Sequence, residues 1–154
     1  MLGLGEDHLS IYLNDHLAGA TAGANLARRA AGDIAADIED DRAALVDVME
    51  RLSVGQDRVK LALAWATEQA VRVKFSGALL GHAPLRRLEE IEALALGVEG
   101  KLALWQALRH THGDDARLEG IDLDELIARA RSQRRRLERL RRRAASDAFV
   151  SDAP

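Results

Sequence analysis

The sequence predicts an all-α protein, on three observations. Apolar residues recur three and four positions apart over long stretches, which is the spacing of one helix face. Alanine, leucine and arginine are abundant, whereas only 3% of the residues are aromatic, a composition that favours helices over strands. Turns that contain glycine or proline separate the periodic stretches. At 154 residues the chain suits one domain, which we place at 1–146, followed by a frayed tail at 147–154.

The first two predicted helices meet at a glycine. The first covers about 7–31 and the second about 34–53, and Gly32 and Asp33 between them supply a stop and a new start. Gly55 ends the second helix. The apolar stripe of the first consists of Leu13, Leu17, Ala20, Ala24, Ala27 and Ala31, and that of the second of Ile34, Ile38, Leu45, Val48 and Leu52.

Three further helices complete the prediction. The third covers about 57–77, and the fourth covers about 85–110 with Pro84 suited to its first turn. The fifth starts near Asp122, whose side chain can cap it with Glu125 three residues on, and continues to about 146. Their stripes are Val59, Leu63, Ala66, Ala70 and Val73; Leu88, Ile91, Ala95, Val98, Leu102 and Trp105; and Leu126, Ala130, Gln133, Leu137, Leu140 and Ala144. Long helices with short loops imply a bundle.

Small residues crowd the first helix, which contains "YLNDHLAGATAGANLARRAA" at 12–31. Gly19 and Gly23 are four residues apart, so they stack on one face. Glycine inside a helix costs up to about 1 kcal/mol against alanine. We therefore interpret the pair as allowing close approach of a neighbouring helix, with room for a ligand as the alternative.

Two polar residues lie on or beside these stripes. His16, one turn from Tyr12, is either a metal ligand or acid–base group, or a half-buried histidine bonded to a carbonyl or an acid. Asp41 stands between Ile38 and Leu45, where an aliphatic residue is expected. A lone buried carboxylate is costly, so we expect Asp41 to be solvated or paired with His16 or an arginine. A polar residue at such a position fixes register or oligomeric state.

The segment at 12–31 resembles the first helix of small bacterial proteins of the ferritin-like superfamily, and the later helices agree with that superfamily in number and length. The resemblance implies an up-down four-helix bundle, here with an additional C-terminal basic helix. Many members of the superfamily bind two iron or manganese ions. Such a site takes a glutamate from each of two helices and a Glu-x-x-His motif from each of the other two.

That ligand set is missing from this sequence. None of the five histidines has an acidic residue three positions before it, so no Glu-x-x-His motif occurs. We therefore expect a member without a di-metal centre and without a cofactor. A reduced iron or manganese site would have to draw on Tyr12, His16, Asp41, Glu92 or Glu99.

Two histidines and two acids occur together in "RHTHGDD" at 109–115. We interpret this stretch as a solvated connector between the last two helices. The alternative is an extended segment in which His110 and His112, two residues apart, hold a divalent ion.

Charge is distributed unevenly. Residues 129–143 hold nine arginines and one glutamate, a net charge of +8, although the whole chain carries −3. The arginines either lie against acidic faces of the bundle or of a second subunit, or bind nucleic acid or another polyanion. No aromatic residue is interleaved, which disfavours base stacking. The candidate interaction residues are Arg134, Arg135, Arg136, Arg139, Arg141, Arg142 and Arg143.

The sequence contains no complete catalytic constellation, such as a Gly-rich phosphate loop, HExxH or GxSxG. We expect a non-enzymatic structural or interaction protein. A diverged metal-dependent oxidoreductase or metal-storage protein is the first alternative, and a polyanion-binding stress protein is the second.

We expect this protein to form a homo-oligomer through the first helix or the leucine-rich fourth helix, because an apolar band that surrounds a helix must be buried on both sides. The fourth-helix contact candidates are Leu94, Leu104 and Leu108, and Leu96 adds to the leucines that lie on more than one side of that helix. The chain has no cysteine and its first residues do not form a signal peptide, which predicts the cytoplasm. The uncharged stretch at 17–27 falls short of the roughly 20 apolar residues that cross a membrane.

Overall fold

The computed structural model describes residues 3–64, 67 and 82–150. These residues form helices and no strand, so the all-α prediction is confirmed for this part of the chain. The helices are α1 (Leu4–Ala30), α2 (Gly32–Arg51), α3 (58–64), α4 (Ala83–His112) and α5 (Leu123–Phe149), with a short 3-10 helix at Ala116–Leu118. The rest of the predicted third helix, including Ala66, Ala70 and Val73, lies outside the described residues, as does 151–154.

The predicted helix boundaries are largely correct. Ala31 alone connects α1 to α2, and Pro84 lies in the first turn of α4. The Asp122 side chain accepts a hydrogen bond from the Glu125 amide at 2.9 Å, which satisfies one of the free N–H groups at the start of α5. α5 continues to Phe149, beyond the predicted end at about 146.

The end of α2 differs from the prediction. Ser53, and not Gly55, takes the left-handed conformation, with φ 58°. The Ser53 amide donates to the Glu50 carbonyl at 3.1 Å, and the Val54 amide donates to the Met49 carbonyl at 2.8 Å. This pair of bonds is a Schellman motif, which normally has glycine at the left-handed position.

A Ser53→Gly substitution is expected to raise the free energy of unfolding by about 1 kcal/mol. The left-handed region costs an L residue about 1–2 kcal/mol, and the greater freedom of glycine in the unfolded chain offsets part of the gain. Urea unfolding measures the change, with Ser53→Ala as the control that keeps the strain. Equal stability of the two variants would contradict the assignment of strain to this residue.

Two core clusters fix the helix directions. The first combines the N-terminal halves of α1 and α5 with the C-terminal halves of α2 and α4, and Trp105 lies within it. The second combines the opposite halves of the same four helices. α1 and α5 therefore run in one direction, and α2 and α4 run in the other. α5 contributes to both clusters and is therefore one of the four packed helices, so the expectation of an up-down bundle with α5 as an additional helix is wrong: α2 and α4 follow each other among these four helices and run in the same direction.

Four of the five predicted stripes are confirmed. The stripe residues of α1, α2, α4 and α5 are buried, apart from Ala20, Ala95 and Leu140, which are partly buried. The stripe of α3 is wrong in its described part, because Val59 and Leu63 are 70% and 63% exposed. Another face of α3 points inward instead: Leu61 packs against the first cluster, and Lys60 pairs with Asp15 of α1 at 2.6 Å.

The leucines of α4 also have a different role from the predicted one. Leu94, Leu104 and Leu108 are buried inside the chain, whereas Leu96 is exposed. α4 packs against both α5 and α1, so both of its apolar rows are used within the chain. The prediction that Leu94, Leu104 and Leu108 form a subunit contact is therefore wrong.

The stretch at 109–115 is mostly helical and not a loop. α4 continues through His112, so His110 and His112 lie two residues apart on a helix and point in nearly opposite directions. The prediction of a solvated connector is therefore wrong for 109–112, which belong to α4, and the alternative of an extended grip on a divalent ion does not fit the helix either. Asp115 begins the 3-10 helix, where its carboxylate accepts from the Arg117 amide at 2.9 Å.

No helix within the described ranges is long and apolar enough to cross a membrane.

Candidate functional site

A buried ion cluster joins α2, α4 and α5 between the two cores. Asp41 of α2 is only 2% exposed, and both of its carboxylate oxygens accept hydrogen bonds. Its Oδ1 accepts from the Arg129 guanidinium at 2.6 Å. Its Oδ2 accepts from the Lys101 ammonium and from the Gln133 amide, the latter at 2.8 Å. The carboxylate is thus paired with two cations and a neutral donor.

Gln133 completes the ion cluster. Its amide nitrogen donates to Asp41, and its amide oxygen accepts from Lys101. An amide both donates and accepts, so it can bridge a carboxylate and an ammonium without leaving a polar atom unpaired. Asp41, Lys101 and Gln133 therefore form a closed ring, with one residue from each of α2, α4 and α5.

The two cations of this ion cluster differ in how deeply they are buried. Burial lowers the pKa of the Lys101 ammonium, and the neighbouring Asp41 carboxylate opposes that shift. The Arg129 guanidinium also lowers the pKa of Lys101. The Arg129 side chain reaches solvent, with 30% of its surface exposed, whereas that of Lys101 is 13% exposed. Lys101 therefore depends on Asp41 far more than Arg129 does.

The prediction that Asp41 pairs with an arginine is confirmed by Arg129, whereas a pair with His16 is not found. The His16 ring instead meets the ring of Tyr12 edge-on, with centroids 4.5 Å apart. His16 is half-buried, and this burial lowers its pKa against an opposing effect of Asp15.

Glu92 and Glu99 point to α5 and not to the Asp41 carboxylate. Glu92 lies 3.8 Å from Arg141, and Glu99 lies 3.1 Å from Arg134. Across the described ranges, no three histidine, aspartate or glutamate side chains are placed to share a metal ion. Tyr12 and His16 are in contact, but no three of His16, Asp41, Glu92 and Glu99 come together.

A groove of about 760 Å³ lies between α1 and α4. Gly19 and Gly23 line it on α1, and Gly97 and Gly100 line it on α4. A Cβ atom added at any of these four glycines would meet no described atom within 4 Å. Among the described residues, Gly19 and Gly23 therefore make no close helix contact, contrary to our expectation. The alternative, room for a ligand, is compatible with this open space.

The stability of the protein is expected to decrease as pH falls through about 6.5, in part because of His16. Its pKa is lower in the folded state than in the unfolded chain, so the unfolded state binds the proton first as pH falls. His16→Gln should therefore show a smaller loss of stability between pH 7.5 and 5.5 in urea unfolding. His110→Gln, on the exposed side of α4, is the matched control. Identical pH profiles for wild type and His16→Gln would contradict this assignment.

The arginines of α5 divide into two sets. The inward set contacts acids of α2 and α4, as in the pair of Arg136 with Asp37 at 2.6 Å. The outward set is exposed, as is Arg134 of the inward set, but no outward arginine forms an ion pair with a described residue. The inward set consists of Arg129, Arg134, Arg136 and Arg141; the outward set consists of Arg131, Arg135, Arg139 and Arg143. Arg142 is also exposed and pairs with Glu138.

Sequence reasoning missed Lys101, the role of Gln133 and a buried Asn14. The Asn14 amide donates to the Ser10 and Gly55 carbonyls and accepts from the Asp57 amide, which ties α1 to the segment before α3. Gln133 carried a signal, because it interrupts an apolar stripe as Asp41 does. Lys101 flanks its stripe, where a solvent-exposed lysine is ordinary.

No family model, curated protein or solved structure matches this chain.

Proposed function

We propose that this chain is a non-enzymatic structural or interaction protein, a ferritin-like four-helix bundle whose centre holds the ion cluster in place of two metal ions. The helix directions support the topology. α1 and α2 form one antiparallel pair, α4 and α5 form another, and a single long crossover joins them. One long crossover is the connection that distinguishes ferritin-like bundles.

The observation that carries the proposal is the Lys101 ammonium on the Asp41 carboxylate. Both residues lie within the middle turns of their helices, between the two clusters. A divalent ion beside Asp41 would lie next to the charges of Lys101 and Arg129, and it would have to displace hydrogen bonds that already use both carboxylate oxygens. The repulsion is strong where water is scarce. We infer that the ammonium supplies the positive charge that a metal supplies in a di-metal protein.

The role of this ion cluster is then to specify how the helices fit together. A buried polar group selects the register in which its partners meet, because every other register leaves charges unpaired. Asp41, Lys101 and Gln133 come from α2, α4 and α5, so their ring fixes three helices at once. With its acceptors occupied, Asp41 is poorly suited to act as a general base.

Metal analysis of protein purified without an affinity tag tests the proposal. We expect far less than one iron or manganese ion per chain, because the ion cluster has no free ligand and carries excess positive charge. The same analysis of Lys101→Met, which removes the ammonium, identifies any metal that competes with it. Nearly one ion per chain in the wild type, lost in Asp41→Asn or His16→Gln, would favour the metal-dependent alternative and overturn the proposal.

The proposal includes a cytoplasmic location, which the cysteine-free sequence supports. It also includes self-association of the protein. Large apolar side chains remain exposed, and covering them is favourable. We expect light scattering at tens of micromolar to give a mass of at least two chains. A monomer at that concentration would contradict this part of the proposal. The exposed side chains are Leu4, Ile11, Val59, Leu63, Leu96, Phe149 and Val150.

A further inference from the structure

An exposed line of arginines runs along α5. Arg131, Arg135, Arg139 and Arg143 follow one another at intervals of four residues, and all four are exposed. At a rise of about 1.5 Å per residue, they span about 18 Å with about 6 Å between neighbours. We call these four residues the arginine stripe.

The fold does not account for the arginine stripe. Arg134, Arg136 and Arg141 reach Glu99, Asp37 and Glu92 on the neighbouring helices, whereas the stripe arginines form no ion pair in the described part of the chain. Like charges four residues apart on a helix destabilise it by about 0.2–0.5 kcal/mol per pair. The stripe therefore weakens α5 slightly and leaves four guanidinium groups available for an anion.

A phosphate group suits the arginine stripe in charge and in hydrogen-bond geometry. Guanidinium groups bind phosphate oxygens through two parallel hydrogen bonds. The chain as a whole carries −3, so the arginine stripe is a local reversal of charge. At physiological ionic strength the screening length is about 8 Å, and negative charges elsewhere on the protein are largely screened from it.

A duplex fits this surface better than a single strand. α5 has no aromatic residue before Phe149, so the arginine stripe has no ring on which an unpaired base could stack. A duplex presents its phosphates outward, and binding it releases about 0.9 counterions per phosphate contact against about 0.7 for a single strand. Arginines without aromatic neighbours therefore favour backbone contacts to a duplex.

We propose that the arginine stripe binds the phosphate backbone of double-stranded DNA without reading its base sequence. This inference goes beyond the proposed function. It does not depend on the ion cluster. Metal content tests the proposed function and DNA binding tests this inference, so either can fail while the other holds.

Two charge-matched variants test the proposal. The outward variant combines Arg135→Gln, Arg139→Gln and Arg143→Gln. The inward variant combines Arg134→Gln, Arg136→Gln and Arg141→Gln. Each removes three positive charges from α5, so an effect of net charge alone is the same in both. Fluorescence anisotropy of a labelled duplex, titrated at a series of salt concentrations, measures the affinity and its salt dependence, and circular dichroism confirms that each variant is folded.

The outward variant should lose DNA binding without losing stability, whereas the inward variant should lose stability and keep its DNA binding. With four phosphate contacts, the slope of log affinity against log salt should be about −3.6 for the wild type and about −0.9 for the outward variant. The outward variant should keep its melting temperature or raise it slightly, because it breaks no ion pair with another helix and removes three like-charge pairs. The inward variant should melt at a lower temperature and keep the wild-type slope.

Each other outcome overturns the proposal. Equal loss of binding in both variants would show a net-charge effect, and unchanged binding in the outward variant would remove the arginine stripe from the interface. Tighter binding to a thymine single strand would exclude the duplex, and binding to phosphatidylserine vesicles without binding to DNA would assign the surface to a membrane. Loss of self-association in the outward variant, with no DNA binding by the wild type, would assign it to a subunit contact.

Discussion

An Asp41→Ala substitution is expected to lower the free energy of unfolding by about 3–5 kcal/mol, the range measured when one partner of a buried ion pair is removed. The variant leaves the Lys101 ammonium buried with Gln133 as its remaining hydrogen-bond partner, and Gln133 loses the acceptor for its own N–H group. Urea unfolding monitored by circular dichroism at pH 7 measures the change. The exposed neighbour Asp40 gives the matched control: Asp40→Ala should change stability by no more than about 0.5 kcal/mol.

The pH dependence of Asp41→Ala identifies the cause of its instability. Burial lowers the pKa of Lys101, and Asp41 is the main group that raises it, so the pKa should fall further in the variant. The unfolded chain then binds a proton that the folded chain releases, and stability rises with pH over the interval between the two pKa values. The deficit of Asp41→Ala should therefore shrink from pH 7 to pH 9.5. A constant deficit would show that Lys101 is not its source.

Removing both charges tests whether the loss of stability comes from the buried charge or from the packing of the two side chains. A variant that combines Asp41→Leu with Lys101→Met keeps similar volumes and leaves no charge of this pair unmatched. Replacing a buried pair in this way is often neutral or stabilising, by about 1–4 kcal/mol in the favourable cases. We expect a smaller loss of stability than in Asp41→Ala, because no ammonium is left buried and unpaired, although the buried Gln133 amide loses both of its hydrogen-bond partners. If the double variant is as unstable as Asp41→Ala, packing and not the buried charge is responsible.

The helices could be predicted because the spacing of apolar residues is a property of each short stretch of sequence. Ile34, Ile38, Leu45 and Val48 define one face of α2 from spacing alone, and all four are buried. Asp41 stood out because it interrupts that face. Its partners could not be predicted, since Lys101 and Gln133 lie 60 and 92 residues away in the chain. Their positions depend on how the helices are arranged in space, which the spacing of apolar residues does not determine.

Other features were ambiguous in the sequence for physical reasons. Gly19 and Gly23 are equally suited to close contact and to open space, and only the position of α4 decides between them. The two leucine rows of α4 required two apolar partners, which α1 and α5 supply within the chain. Arginines along α5 recur so densely that their spacing alone could not separate the outward set from the inward set, because that division depends on the acids of α2 and α4.

A Trp105→Ala substitution is the other change with a large expected effect. Trp105 is fully buried, with 0% of its surface exposed, in the first core cluster. Truncating a buried aromatic residue costs about 3–5 kcal/mol, because the apolar contacts are lost and the surrounding side chains fill the cavity only in part. The four long helices all contribute to this cluster, so we expect cooperative loss of the whole fold. The denaturant midpoint from circular dichroism measures it.

Trp105→Phe is the control that separates volume from polarity. The indole Nε1 of Trp105 is buried and has no hydrogen-bond partner among the described residues. An unpaired buried donor costs about 1–3 kcal/mol, and phenylalanine removes this donor while keeping most of the apolar ring. The smaller ring should therefore lose much less stability than alanine does. Equal losses of stability for the two variants would show that the exact ring volume, and not general apolar filling, determines the stability of this cluster. A loss below about 1 kcal/mol for Trp105→Ala would contradict the placement of Trp105 in the core.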